Sequence, residues 1–233
     1  MSSAKAPIAV ALDTADVATA IQWATSVAPV VSTIKVGLEL YLRSGAAGVA
    51  RIRESAGDCA LFLDLKLHDI PITVAGAAHA VAALEPDFLT VHATGGEAMV
   101  KSAVAALPRT QIAGVTVLTS MSEWDLQQVG ILGSPTDAVR RLASLAVGAG
   151  ARALVCSPRE VALVRAEVGA DITLITPGVR PTGSAPGDQA RIATPEQALS
   201  DGADLLVIGR PITAATDPGA AARTIAAGLA TGV

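Results

Sequence analysis

The sequence is poor in aromatic residues, in cysteine and in charge. Aromatics make up 2% of its 233 residues, carried by two Trp, two Phe and one Tyr. A core must therefore be filled by Ala, Val, Leu and Ile, which suits layers of aliphatic strands and small-faced helices. Charged residues reach only 16% against 51% apolar, which excludes a disordered chain. The net charge of −4 supplies no basic field, so nucleic acid is not an expected partner. Any bound anion must be gripped by a few local groups. The two cysteines, Cys59 and Cys156, sit in apolar surroundings with neither CxxC spacing nor a nearby His pair. They read as reduced, buried thiols and not as a disulfide or a metal site. No stretch reaches the roughly 18 uninterrupted apolar residues needed to cross a bilayer. The opening MSSAKAPIAVALD shows no signal-peptide apolar region or cleavage site. A cytoplasmic protein without a membrane partner is expected.

What the chain does have is a recurring short apolar run. IAVAL starts at Ile8, STIKVG at Ser32, ALFLDLK at Ala60 and DFLTVHA at Asp87. IAGVTVLT follows from Ile112, ALVC from Ala153, ITLITPG from Ile172 and ADLLVIG from Ala203. Between them lie Ala-rich segments with helical spacing, such as 17–27 and 139–149. Helix-start signals stand at Asp16, Ser122, Thr136, Ser157-Pro158 and Thr194-Pro195-Glu196. Eight strand–helix units in a chain of this length predict a (β/α)8 TIM barrel, an α/β fold. A doubly wound open sheet is the competitor, but ALDTAD after the first run is not the GxGxxG turn such sheets carry. No linker or composition shift divides the chain, so residues 1–233 are expected to form one domain.

Strand parity then sorts the side chains. Alternate residues of a strand face opposite sides. In LFLDLKLHDIP, Leu61, Leu63, Leu65 and Leu67 take the face toward the helices, and Phe62, Asp64 and Lys66 take the lumen. Likewise Ile8, Val10 and Leu12 face out while Ala9, Ala11 and Asp13 face in, and Lys35 faces in between Ile34 and Val36. Asp13, Lys35, Asp64 and Lys66 thus converge near the C-terminal ends of three consecutive strands, where barrel enzymes build their sites. A buried ion network kept only for register is costly to desolvate and seldom stabilises relative to apolar packing. The alternation instead gives each cation carboxylate neighbours that favour its charged form. A charged lysine is an acid and not a Schiff-base nucleophile. The array therefore predicts proton delivery, with carboxylates placed to repel or position an anion. Asp69 falls out of parity in the turn before Pro71, which fits the first turn of a helix. Local chemistry leaves it open whether Asp69 starts that helix or projects away from its own barrel.

A second cluster lies near the C-terminus, in TPGVRPTGSAPGDQAR and VIGRPI. Residues 181–188 hold two glycines and two prolines, the composition of a surface loop and the usual material of an active-site lid. Loops after strands seven and eight of barrels commonly bind phosphate. Arg180 and Arg210 are thus candidate phosphate ligands, with Gly209 allowing close backbone approach and Gln189 just beyond the lid.

FLDLKLHDIP resembles the DxKxxDIP signature of the orotidine 5′-phosphate decarboxylase family. TPGVRP…DQAR and VIGRPI resemble its phosphate-closing end, and LDTAD, IKVG and VTVLTSM fall in the expected order. The likeness runs from about Ile8 to Pro211 and points to the shorter, prokaryotic-type branch. It implies conversion of orotidine 5′-monophosphate to UMP and CO2, the last step of de novo pyrimidine nucleotide synthesis, with neither metal nor organic cofactor. By the same resemblance Lys66 is the acid that protonates C6, and Asp64 lies beside the substrate carboxylate. Lys35 joins the charged chain and contacts the ribose, and Asp13 holds a ribose hydroxyl. Asp69 is implied to enter the partner subunit's site in a homodimer. The resemblance further implies that Ile70 borders the pyrimidine pocket, that Thr73 is a further substrate contact, and that Thr119 and Ser120 read the base. It implies that Arg180, Gln189, Gly209 and Arg210 grip the phosphate.

Three rival readings fit these residues less well. A sugar-phosphate decarboxylase or aldolase of the 3-keto-gulonate-phosphate type usually holds Mg2+ with added carboxylates, and beyond Glu39 none stands near the second strand. A Schiff-base aldolase would need Lys66 uncharged. A catalytically dead barrel would be expected to lose Lys66 or a flanking Asp. His68 reads as outside the proton path, His92 as lining the barrel mouth, His79 as a helix residue, and Trp23 and Trp124 as helix-packing groups.

Overall fold

The computed structural model describes residues 4–180 and 193–231. Eight strands run β1 Ala6–Ala11, β2 Val31–Gly37, β3 Ala60–Leu67, β4 Phe88–His92, β5 Gln111–Val115, β6 Ala153–Val155, β7 Thr173–Thr176 and β8 Leu205–Ile208. Each pairs in parallel with its sequence neighbours, and β8 closes on β1 through Ala9 opposite Val207. The intervening helices are α1 Val17–Val27, α2 Leu38–Ser55, α3 Pro71–Val81, α4 Glu97–Ala106, α5 Glu123–Gln128, α6 Pro135–Gly148, α7 Val161–Val168, α8 Pro195–Ser200, α9 Arg210–Thr213 and α10 Pro218–Thr231. This is the (β/α)8 barrel that the alternation predicts.

Parity decides where the apolar groups go. Ile8, Val10, Leu12, Ile34, Val36, Leu61, Leu63 and Leu65 are buried in the layer between strands and helices. A second, smaller cluster fills the lumen: Ala9, Phe62, Phe88, Ala113, Ala153, Ile175 and Leu205. Phe62 and Phe88 meet edge to face there, with centroids 5.8 Å apart. Two of the chain's few aromatics thus plug the barrel floor, and small residues elsewhere in that layer make room for them. Cys59 and Cys156 are free and buried, as expected. Burial, the larger influence on each thiol, raises both, Cys156 to about 12, so neither is a thiolate at neutral pH.

The caps follow the sequence with one exception. Asp16 accepts the N–H groups of Ala18 and Thr19, Ser122 forms a capping box with Asp125, and Thr194 caps α8 ahead of Pro195. Thr136 is not a cap. Ser134 holds that role by accepting the Asp137 N–H at 3.2 Å, and Pro135 takes the first helical position. α2 bends at Gly45, whose φ of 59° and ψ of −169° only glycine adopts cheaply. Trp23 packs partly buried against the core. Trp124 does not pack as expected: it is 66% exposed, because the six-residue α5 turns Leu126 inward. The fifth strand ends at Val115, short of the full apolar run to Thr119. Among the described residues no helix is long and apolar enough to cross a membrane.

Candidate active site

The site is assembled at the C-terminal ends of β1, β2 and β3. Lys35 Nζ donates to Asp13 Oδ1 at 3.2 Å and lies 3.3 Å from Asp64 Oδ2, while Lys66 Nζ donates to Asp64 Oδ1 at 2.7 Å. The four side chains form an unbroken line, Asp13–Lys35–Asp64–Lys66, across three neighbouring strands. Lys35 is its buried centre, with 8% of its side chain exposed, and Lys66 reaches further out at 29%. Burial would pull Lys35 down, but Asp64 and Asp13 outweigh it and hold the ammonium above the ordinary lysine range. For Asp64 burial works toward protonation. Lys35 and Lys66 overcome it, and the carboxyl stays below the ordinary aspartate range. Asp64 is therefore an anion fixed between two lysines.

A break in the β3–β4 ladder aims Lys66. Leu63 pairs with Leu89 and Leu67 with Val91, so Asp64, Leu65 and Lys66 stand opposite Thr90 alone. On its other edge β3 keeps regular pairing with β2 as far as Asp64 opposite Gly37. The extra residues bulge, and Lys66 takes a φ of 48°, which costs a non-glycine residue roughly 1–2 kcal/mol. The released Lys66 N–H finds the Thr90 hydroxyl at 2.8 Å.

Two positions that sequence reasoning passed over shape the array. A Cβ at Gly37 would stand 2.7 Å from Asp13 Oδ1 and 3.2 Å from Lys35 Nζ, so the ion pair occupies the space of the missing side chain. Thr90 is fully buried, accepts from Lys66 N–H, and donates to Asp64 Oδ1 at 3.1 Å. The signal for Thr90 was its parity, since Phe88, Thr90 and His92 share the inward face of β4. His92 meets His68 in a tilted ring contact with centroids 5.3 Å apart. Burial, with lesser contributions from His68 and Lys66, holds His92 below the usual histidine range and so neutral at pH 7.

The array opens into a cleft of about 560 Å³. Asp13, Lys35, Asp64 and Lys66 line one part, Thr119 and Ser120 another, and Arg180, Gly209 and Arg210 complete it. Its size suits a small molecule of nucleotide scale. Arg210 opens the short α9 with Gly209 at the cap position. A Cβ at Gly209 would make only an ordinary 3.5 Å contact with Ala11, so packing alone does not require glycine there. The Arg180 N–H donates to Ala193 O at 3.0 Å, and Val179 bridges Ala193. The candidate lid and Gln189 lie outside the described residues. Asp69, Ile70 and Thr73 do not line this cleft; all three are exposed at the start of α3. Asp69 does not cap that helix. Ile70 holds the cap position without a side-chain bond, and the Asp69 carboxylate accepts the Ile70 N–H at 2.6 Å.

Known proteins share both the fold and the sequence. A family model described as Orotidine 5′-phosphate decarboxylase / HUMPS family matches residues 6–225. The chain is 70% identical over 224 residues to the orotidine 5′-phosphate decarboxylase of Thermobifida fusca (strain YX), covering 96% of each chain. It is 58% identical over 241 residues to that of Frankia casuarinae, covering 97% of this chain and 88% of the relative. The crystal structure of orotidine 5′-phosphate decarboxylase from Lactobacillus acidophilus superposes with a TM-score of 0.84 at 34% identity, covering 97% of this chain and 99% of that one. The chain belongs to the orotidine 5′-phosphate decarboxylase / HUMPS family.

Proposed function

We propose that this protein is a carboxy-lyase that converts orotidine 5′-monophosphate to UMP and CO2, the closing step of pyrimidine nucleotide synthesis. The observation that carries the reading is the alternating Asp13–Lys35–Asp64–Lys66 line at the mouth of a cleft that also presents Arg180 and Arg210. In the reaction the bond from C6 to the carboxylate breaks and its electron pair stays on C6. Lys66 then delivers a proton to that carbon, and solvent restores the ammonium. Negative charge grows at C6, so a fixed ammonium beside it stabilises the transition state far more than it would in water. Asp64, anionic between its lysines, sits beside the leaving carboxylate and orders Lys66. Asp13 and Lys35 hold the ribose, Thr119 and Ser120 read the base, and Arg180, Gln189, Gly209 and Arg210 hold the phosphate. Because the phosphate grip is remote from C6, its binding energy can drive closure of the site and raise turnover as well as affinity.

The working unit in this reading is a cytoplasmic homodimer. Asp69, Ile70 and Thr73 serve the partner's cleft, with Ile70 against the pyrimidine. Supporting it, Asp69 stands outside its own cleft beside Ile70 and Ile72, which are 62% and 78% exposed. Leu38 and Leu42, on the helix after β2, are 47% and 77% exposed. Large apolar groups clustered at one barrel end mark an interaction face. The sugar-phosphate rival fits less well, since Glu39 pairs with Arg43 along α2 and the relatives above bear the decarboxylase name. The test is the loss of orotidine 5′-monophosphate absorbance on adding purified protein in EDTA. Steady conversion to UMP is expected, and an intact substrate would refute the reading.

A further inference from the structure

The bulge in β3 leaves one residue, Thr90, to do what a regular ladder would do. We infer that Thr90 is a positioning residue for the reaction: its single hydroxyl holds both the strained backbone that carries Lys66 and the carboxylate of Asp64. The inference rests on the decarboxylase reading above.

The geometry leaves the hydroxyl no other arrangement. An ionised Asp64 only accepts, so Thr90 Oγ1 spends its hydrogen on Asp64 Oδ1 at 3.1 Å. Its lone pair takes the Lys66 N–H at 2.8 Å. Thr90 is 0% exposed, so water has no access to replace either bond. Lys66 at φ 48° persists only where its surroundings over-determine it. The restraints are the Lys66 N–H on Thr90, the Lys66 ammonium on Asp64 at 2.7 Å, and the Leu67–Val91 pairing beyond. Two of the three pass through Thr90 or through the carboxylate it holds. A small displacement of a proton donor from its productive geometry reduces rate more than binding. Thr90 is absent from the cleft lining, so it acts through Lys66 and Asp64 and not on the substrate.

The experiment compares the wild-type enzyme with Thr90→Val and Thr90→Ser, measuring kcat, KM and the Kd of UMP by titration. Thr90→Val keeps the shape and removes the hydroxyl. Its kcat is expected to fall roughly 10- to 100-fold, the range for losing a buried hydrogen bond to a charged group. The UMP Kd should stay within about 3-fold, because the phosphate and base contacts are untouched. Thr90→Ser restores the hydroxyl and should recover kcat to within about 3-fold of wild type. The acid limb of the kcat profile should also move to higher pH in the valine variant, because Asp64 loses a bond to its charged form. If the valine chain does not fold, Thr90→Ala read against Thr90→Ser decides by the same ratio. Equal kcat in the valine and wild-type enzymes, or a serine variant as slow as valine, overturns the inference. So does a valine variant that loses UMP binding in proportion to rate, which marks a merely structural role. If the wild-type enzyme itself fails to decarboxylate, the functional reading falls first, and that outcome is distinct from the others.

Discussion

Lys66 concentrates several demands in one residue. Its ammonium must lie beside Asp64, its backbone must leave the β ladder, and its φ of 48° is the kind of conformation glycine prefers. Strain of this sort is kept where function needs the side chain exactly there and the surroundings hold it. Two substitutions separate strain from chemistry. Lys66→Ala and Lys66→Gly should each lose at least about 10³-fold in kcat/KM, since both remove the acid and the fixed positive charge. Lys66→Gly should nevertheless be the more stable of the two by about 1 kcal/mol in urea unfolding, because only glycine relaxes at that φ. Equal stability would mean that the bulge carries no strain. The same residue shows where reading by parity succeeds and where it stops. Alternation placed Asp64 and Lys66 in the lumen correctly, but it could not show that the strand bulges between them and Leu67. A bulge depends on the pairing with β4, which a single strand's pattern does not record.

At the scale of elements, three strands share one electrostatic object. Asp13 follows the end of β1, β2 brings Lys35, and β3 brings Asp64 and Lys66; parallel pairing sets the inward register of Lys35 and Asp64, and the bulge sets that of Lys66. The pairing has a pH signature whose sign follows from the shifts. Asp64 is depressed below its ordinary 3.8, so its contribution to stability is full above that pH and is lost as pH falls through the lower folded value. Lys35 is raised above 10.5, so its contribution is full below that pH and is lost as pH rises through the higher folded value. Urea-unfolding free energies should therefore show the network's contribution as a plateau between about pH 4 and pH 10. In Asp64→Asn the acid-side loss should be smaller, so the stability gap to wild type narrows as pH drops below 3.8. A gap constant down to pH 2 would show that Asp64 is not held ionised by its lysines. The strands that supply this array, and the helix starts at Asp16, Ser122 and Thr194, were legible in the sequence because each depends on neighbours a few residues away. Thr136 misled because Ser134 and Pro135 together form the stronger start signal.

At the scale of the molecule, one barrel offers a cleft with the charged array and the two arginines, but leaves Asp69, Ile70 and Thr73 outside it. If these three complete a neighbour's site, chains broken in different places should repair each other. Lys66→Ala and Asp69→Ala are each expected to be inactive alone. Mixed at equal concentration after exchange, they form hetero-dimers in half of the pairs, each with one intact site. Activity should return to roughly a quarter of wild type, since half the dimers then carry one working site of two. Persistent inactivity in a mixture shown to contain hetero-dimers would place the action of Asp69 elsewhere.

The amino-acid sequence by itself determined the eightfold alternation, the face each strand turns to the lumen, and the four ionisable groups that share that face. Those features come from period-two and helical patterning, which short segments carry without help from distant ones. Only the tertiary structure decided that the four charges form one continuous line, that Gly37 leaves the space it needs, and that Thr90 closes the gap a bulge opens. It also placed the exposed Asp69 outside its own cleft. Apart from the Asp64–Lys66 contact within β3 and the place of Asp69, these are relations between strand ends that are neighbours in space and 20 or more residues apart in the chain. Distances of 2.8 to 3.3 Å between such groups are set by the closure of the barrel, not by any local pattern.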